Sequence, residues 1–163
     1  MSDTTRRSNT LRLIVSIVIC HMAGVFGSAF TTGAIPTWYA AIKKPGFTPP
    51  NWVFAPVWLA LYTLMGISLY LVWRKHTRNA KHRVALTLFA VQLVLNAVWS
   101  AVFFGLHSPL AGLVVISALL VSLVLAAVMF MRVSRPAGLL LVPYVVWVAF
   151  AAALNASIWI LNR

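Results

Sequence analysis

Three groups of side chains recur at helical spacing and bring together the same two chemistries, an apolar π-face and a neutral hydrogen-bonding handle. The first is Trp58 with Tyr62. The second is Gln92, Asn96, Trp99, Ser100 and Phe103. The third is Tyr144, Trp147, Ala151 and Asn155. Residues three and four apart share one face of a helix, so each group forms one stripe. Indole and phenol rings can stack on a flat apolar molecule, and Asn or Tyr can fix its orientation, which is the usual make-up of a small-molecule site. Trp can also act as an oxidisable or quenching partner to a bound pigment. A second reading uses the same residues for helix packing, with Asn96 and Asn155 as interhelical hydrogen-bonding groups.

Conventional catalysis has little to draw on. Asp3 is the only acid in 163 residues. Carboxylate-based hydrolysis therefore lacks its acid and base. Proton-coupled transport lacks the ionisable group it usually places in the membrane. No Ser-His-Asp set, Cys-His pair, metal-ligand spacing or phosphate-cradling glycine loop is present. Cys20 is the only cysteine, so no internal disulfide can form. His21 lies within an apolar run and reads either as a functional intramembrane histidine or as a hydrogen-bonded structural one.

The elements that must position these residues follow from composition. Hydrophobic residues make up 62% of the chain and charged residues only 9%, against roughly a quarter charged in soluble domains. The fold class expected is an all-α integral membrane protein, a five-transmembrane-helix bundle in a single domain over residues 1–163. The spans are expected at about 12–35, 51–73, 84–106, 109–131 and 137–161, each long enough for a core of roughly 30 Å. Residues 1–10 read as a polar tail. The first apolar run exceeds a signal-peptide core of about 7–15 residues and is expected to be retained. Pro143 is expected to bend the last span. Gly24 and Gly27 allow either close helix contact or access of a ligand to the backbone.

Residues 36–50 form the longest connection and carry Trp38, Tyr39, Lys43, Lys44, Pro45, Pro49 and Pro50. A stiff, proline-rich connection of this length reads as a lid. The net charge of +12 sits at the ends of apolar runs, which points to topology and anionic lipid and not to nucleic acid. Arg6, Arg7, Arg12, Arg74, Lys75, Arg78, Lys81, Arg83, Arg132 and Arg135 fall on one side, and Lys43, Lys44 and Arg163 on the other. The positive-inside rule then predicts a cytoplasmic N-terminus, with the C-terminus and the lid loop external. Ala97, Ala101 and Gly105 form a line of small residues that suits either a second copy of the chain or packing inside the bundle.

Trp38-Tyr39, Lys44-Pro45, Pro49 to Phe54, Pro56-Val57-Trp58, Leu61-Tyr62, Leu64-Met65-Gly66, Gln92 to Asn96, Trp99, Phe103-Phe104-Gly105, Pro143-Tyr144, Trp147 and Leu154-Asn155 resemble the translocator protein family. Its bacterial members are called tryptophan-rich sensory proteins, and this chain is similar to those. The resemblance runs through all five spans in order. It implies a five-helix bundle, commonly a homodimer, in the bacterial inner membrane. It implies protoporphyrin IX or a related tetrapyrrole as ligand, no obligatory cofactor, and lipid or sterol as further partners. The implied ligand-binding residues are Trp38, Tyr39, Pro49, Trp58, Tyr62, Asn96, Trp99, Phe103, Trp147 and Ala151. Trp58 and Trp147 match the tryptophans linked to light-dependent porphyrin breakdown in some bacterial members and are the implied catalytic pair. The functions implied are a tetrapyrrole-binding sensor or regulator, a transporter of porphyrin or sterol, or a porphyrin-degrading enzyme. Three departures stand out: Phe47 where many members have Trp, no acid in the loop or the fourth span, and Trp159 in place of the central Tyr of the C-terminal sterol motif.

Overall fold

The computed structural model describes residues 3–75 and 79–163, with side chains from residue 7 onward. Arg78 and the side chain of Arg6, both among the basic residues named above, lie outside the described residues. The elements are α1 (Asp3–Ala34), the short α2 (Trp38–Ala41), α3 (Asn51–Trp73), α4 (Ala80–Ser100) continuing as a π-helical turn (Ala101–Gly105), α5 (Pro109–Val133) and α6 (Arg135–Leu161). Five of these helices are long and apolar enough to cross a membrane. The chain is a multi-pass, five-helix membrane bundle, as its composition predicts.

Two details differ from the sequence expectation. The helix α1 begins at Asp3 and takes in the stretch read as a tail. Once a long apolar helix is nucleated, adding polar residues to its end is cheap, so the helix outruns its hydrophobic run. The connection 35–50 is also not all loop, because α2 forms one helical turn within it. Pro143 lies inside α6, which stays helical from Arg135 to Leu161.

The five long helices close into a ring. Going round it, α1 packs on α3, α3 on α6, α6 on α5, α5 on α4, and α4 returns to α1. The sequence neighbours α3 and α4 are therefore separated by α1 on that side. Small residues set this arrangement. A Cβ at Gly66 would lie 2.6 Å from Ile17 Cα, and one at Gly24 would overlap the Tyr62 ring. Only glycine permits the α1–α3 approach at those two points. Gly27 meets Ser100 of α4, where a Cβ would lie 2.9 Å from Oγ. Packing, the first of the two readings of Gly24 and Gly27, is thus the one the structure supports. Gly105 is likewise used inside the bundle, against Phe30 of α1.

Leu61, Met65, Phe89, Leu119, Leu123, Phe130, Leu141 and Val148 are among the residues that fill the core. The rows of exposed Leu, Ile and Val on α1 and α5 face outward, as lipid-facing surfaces do. Trp52 and Trp73 are exposed at opposite ends of α3, the positions of interfacial anchors.

Candidate functional site

The three stripes read from the sequence meet at the centre and one end of the bundle, in two layers. The deeper layer is a hydrogen-bonded triad across three helices. Tyr62 Oη on α3 donates to Asn96 Oδ1 on α4 at 2.7 Å, and Asn96 Nδ2 donates to Tyr144 Oη on α6, also at 2.7 Å. All three side chains are buried. Because α3, α4 and α6 are not all ring neighbours, this amide pins the middle of the bundle. One turn further along α4, Trp99 Nε1 donates to Asn155 Oδ1 of α6 at 3.1 Å. Asn155 Nδ2 in turn donates to the carbonyl of Pro109 at the start of α5, at 2.7 Å.

Rings flank the triad. Trp58 stacks on Tyr62 with centroids 5.4 Å apart and meets Tyr144 edge-on at 6.0 Å. Phe54, one turn before Trp58, meets Trp147 edge-on at 6.0 Å. Trp147 also touches Phe150, which meets Phe47 of the loop. Trp58 and Trp147 therefore belong to one aromatic wall shared by α3 and α6. Both are half-buried. Neither indole N–H has a hydrogen-bonding partner among the described residues, unlike that of Trp99.

The second layer lies under α2. Trp38 packs edge-on against Phe103 at 5.4 Å and stacks on His107 at 4.8 Å with the planes 18° apart. Tyr39 meets both Phe103 and Phe104. Adjacent residues of an α-helix do not present one face. Here the π-helical turn, closed by Leu106 N–H to the Ala101 carbonyl, widens the spiral and lets both rings reach Tyr39. His107 follows with φ of 52°, a left-handed conformation uncommon outside glycine. That turn delivers its imidazole to Trp38. Burial raises the Tyr39 phenol pKa above its ordinary value near 10.

The loop is tied down at two points. Lys44 Nζ donates to the carbonyls of Tyr39, Ala40 and Ile42, capping the C-terminal end of α2, and lies 4.9 Å from the Tyr39 ring centroid. Asn162, just past α6, accepts from Lys43 N–H at 3.0 Å and donates back to Lys43 C=O at 2.9 Å. The lid, the α4–α5 link and the C-terminus therefore share one end of the bundle.

Of the residues singled out by sequence, Trp58, Tyr62, Asn96 and Trp147 join the deeper layer, and Trp38, Tyr39, Trp99 and Phe103 the layer below α2. Pro49 is half-buried in the connection, and Ala151 is half-buried one turn from both Trp147 and Asn155 on α6. His21 Nδ1 lies 3.0 Å from the Ile17 carbonyl of its own helix, the structural bond anticipated for it. Sequence reasoning gave Phe104 no role beyond its place in the Phe103-Phe104-Gly105 motif, and did not single out His107 or Asn162. The Phe-Phe-Gly run before a His-Ser-Pro turn was the available signal for the first two. Nothing local marks Asn162. No cluster of metal-ligating side chains occurs among the described residues.

Comparison with known proteins is consistent with this arrangement. The pattern defining the TspO/MBR family matches residues 16–160. The tryptophan-rich protein TspO of Archaeoglobus fulgidus is 49% identical over 154 residues, spanning 94% of this chain and 99% of that one. The human translocator protein is 42% identical, over 82% of this chain and 79% of its own. The tryptophan-rich sensory protein of Cereibacter sphaeroides is 36% identical, over 83% and 85% respectively. With a match through all five spans and relatives of near-equal length, the chain belongs to the TspO/MBR family.

Proposed function

We propose that the protein binds a flat tetrapyrrole of the protoporphyrin IX type against the α3–α6 wall beneath the 35–50 connection, and acts as a membrane sensor or regulator. The observation that carries this reading is the pair Trp58 and Trp147. They are large rings on facing helices, half-buried, with indole N–H groups that no partner takes up among the described residues. A macrocycle there gains stacking and dispersion from both. Tyr62, Asn96 and Tyr144 form a rigid floor, and Trp38 and Tyr39 the roof. In this reading the N-terminus is cytoplasmic, the membrane is the bacterial inner membrane, and the active form is a homodimer.

The translocator name of the mammalian relatives supports a second reading, carriage of the ligand across the membrane. With no acid after Asp3, that carriage would be passive. Sterol is a weaker candidate because Trp159 replaces the central Tyr of the C-terminal motif.

Titration of purified protein with protoporphyrin IX, read by Trp fluorescence quenching, tests the site. Trp58→Phe and Trp147→Phe are each expected to weaken binding severalfold while leaving the fold intact. Equal affinity in both single variants and the double variant, all normally folded, overturns the assignment. Parallel light and dark incubations, and uptake into empty liposomes, separate binding alone from pigment breakdown and from passive transport.

A further inference from the structure

Gln92 lies on the inward face of α4, one turn before Asn96, and is wholly buried. Neither its Nε2 nor its Oε1 has a hydrogen-bonding partner among the described residues. Buried amides in native proteins are almost always paired, and in a membrane interior no bulk water can compensate. Helix geometry places the Gln92 and Asn96 side chains side by side. Asn96 uses one N–H of Nδ2 on Tyr144 and its Oδ1 on Tyr62, so its second N–H remains free. Tyr144 Oη accepts from Asn96 and still has its own proton to donate, with no acceptor for it among the described residues.

One turn of α4, together with the Tyr144 of α6 that is bonded to it, therefore gathers a free carbonyl oxygen, free amide N–H groups and a free phenolic proton. An occupant that suits this set must be small and neutral, and must both donate and accept. An alkyl chain offers no hydrogen bonds. A cation has no countercharge there, because no acid lies in the membrane part of the chain, and an anion has none close by on α4, whose Lys81 and Arg83 lie more than two turns away. We propose that Gln92 anchors an internal water site shared with Asn96 and Tyr144. Internal waters typically make about three hydrogen bonds to groups of this kind. The site extends the Tyr62–Asn96–Tyr144 triad along α4. It couples Gln92, through Asn96, to the Tyr62 ring on which Trp58 stacks.

The test uses full-length, isotopically labelled protein in lipid nanodiscs. Magnetisation transfer from water to the Gln92 side-chain amide is measured, with Gln92→Met as the assignment control and a second variant, Gln92→Leu. A cross peak from water to the Gln92 amide that disappears in Gln92→Met, together with a melting temperature lowered by several degrees in either variant, is the expected result. Absence of the cross peak while the amide resonance is visible overturns the proposal. So does a variant that melts at or above the wild-type temperature, because replacing a dry, unpaired amide by an apolar side chain relieves a cost.

Discussion

Replacing Asn96 by Leu tests whether the triad holds the bundle together. Leu has the same branched arrangement of side-chain heavy atoms as Asn, with bulkier methyl groups and no polar atoms. The change removes both 2.7 Å bonds and leaves the Tyr62 and Tyr144 hydroxyls buried without their shared partner. A stranded buried polar group costs about 1–3 kcal/mol, which for two would give roughly 2–6 kcal/mol. Measured interhelical hydrogen bonds in membranes average only about 0.6 kcal/mol and reach about 1.7, because hydroxyls find other partners when helices separate. Leu also gains apolar contact. The membrane values decide the estimate, at about 1–3 kcal/mol net. For a chain of this size that corresponds to a fall of roughly 2–12 °C in melting temperature.

The assay is thermal unfolding in one fixed detergent, for Asn96→Leu, Tyr62→Phe, Tyr144→Phe and the triple variant. The cost lies in stranding the hydroxyls, so the triple variant is expected to regain most of the stability lost by Asn96→Leu. Two results refute the reasoning. One is Asn96→Leu melting with the wild type. The other is a triple variant whose loss equals the sum of the three single losses, which would mean that the groups act independently.

Further outcomes follow from the packing and from the lid. Gly66→Val forces a side chain onto the Ile17 backbone. It is expected to destabilise by about 1–3 kcal/mol, read as a lower melting temperature, and Gly33→Val at an open position is the matched control. Asn162→Ala removes both bonds to Lys43 and the bond to Ile158. Protease cleavage within 35–50 should quicken severalfold while the melting temperature hardly moves, and unchanged cleavage would show that the tether does not restrain the loop. Trp99→Phe strands Asn155 Oδ1 and is expected to cost about 1 kcal/mol, more than Trp147→Phe, in the same melting assay. Reporter fusions after Arg163 and within 74–83 test the orientation, and a cytoplasmic signal from the C-terminal fusion contradicts it.

Much of this structure can be read from residue types. Runs of Leu, Val and Ala give five spans, because a bilayer of fixed thickness demands a minimum apolar length. The 3.6-residue period gives the faces carrying Asn96 and Trp99, or Tyr144 and Trp147. The ring order is not legible in the same way. It depends on where two backbones can approach, and Gly24 and Gly66 matter only because Tyr62 and Ile17 face them. The π-helical turn is hidden for a related reason. One extra residue in a turn costs little and leaves the hydrophobic pattern intact, yet it moves Phe104 onto Tyr39 and places His107 against Trp38. Asn162 looks like an ordinary terminal residue until the loop, 119 positions away in sequence, folds back on it.

The tryptophans show most plainly what folding adds. By type and spacing, Trp58, Trp99 and Trp147 are equivalent interior aromatics beside amides. In the bundle they separate into two kinds. Trp99 is 9% exposed, and its N–H is taken up by Asn155. Its indole is held at both ends, by that bond and by stacking on Phe103 at 5.5 Å. Trp58 and Trp147 keep a free N–H and part of their surface. An amide one turn away on the same helix, as Asn96 is for Trp99, does not decide this. What decides it is whether an acceptor on another helix comes within reach of the indole N–H. Asn155 does so for Trp99 because its own Nδ2 is fixed by the Pro109 carbonyl, which α5 presents only after the His107 turn. The division between the hydrogen-bonded Trp99 and the two tryptophans of the α3–α6 wall therefore rests in part on the backbone turn at His107, and a pattern of residue types cannot carry that information.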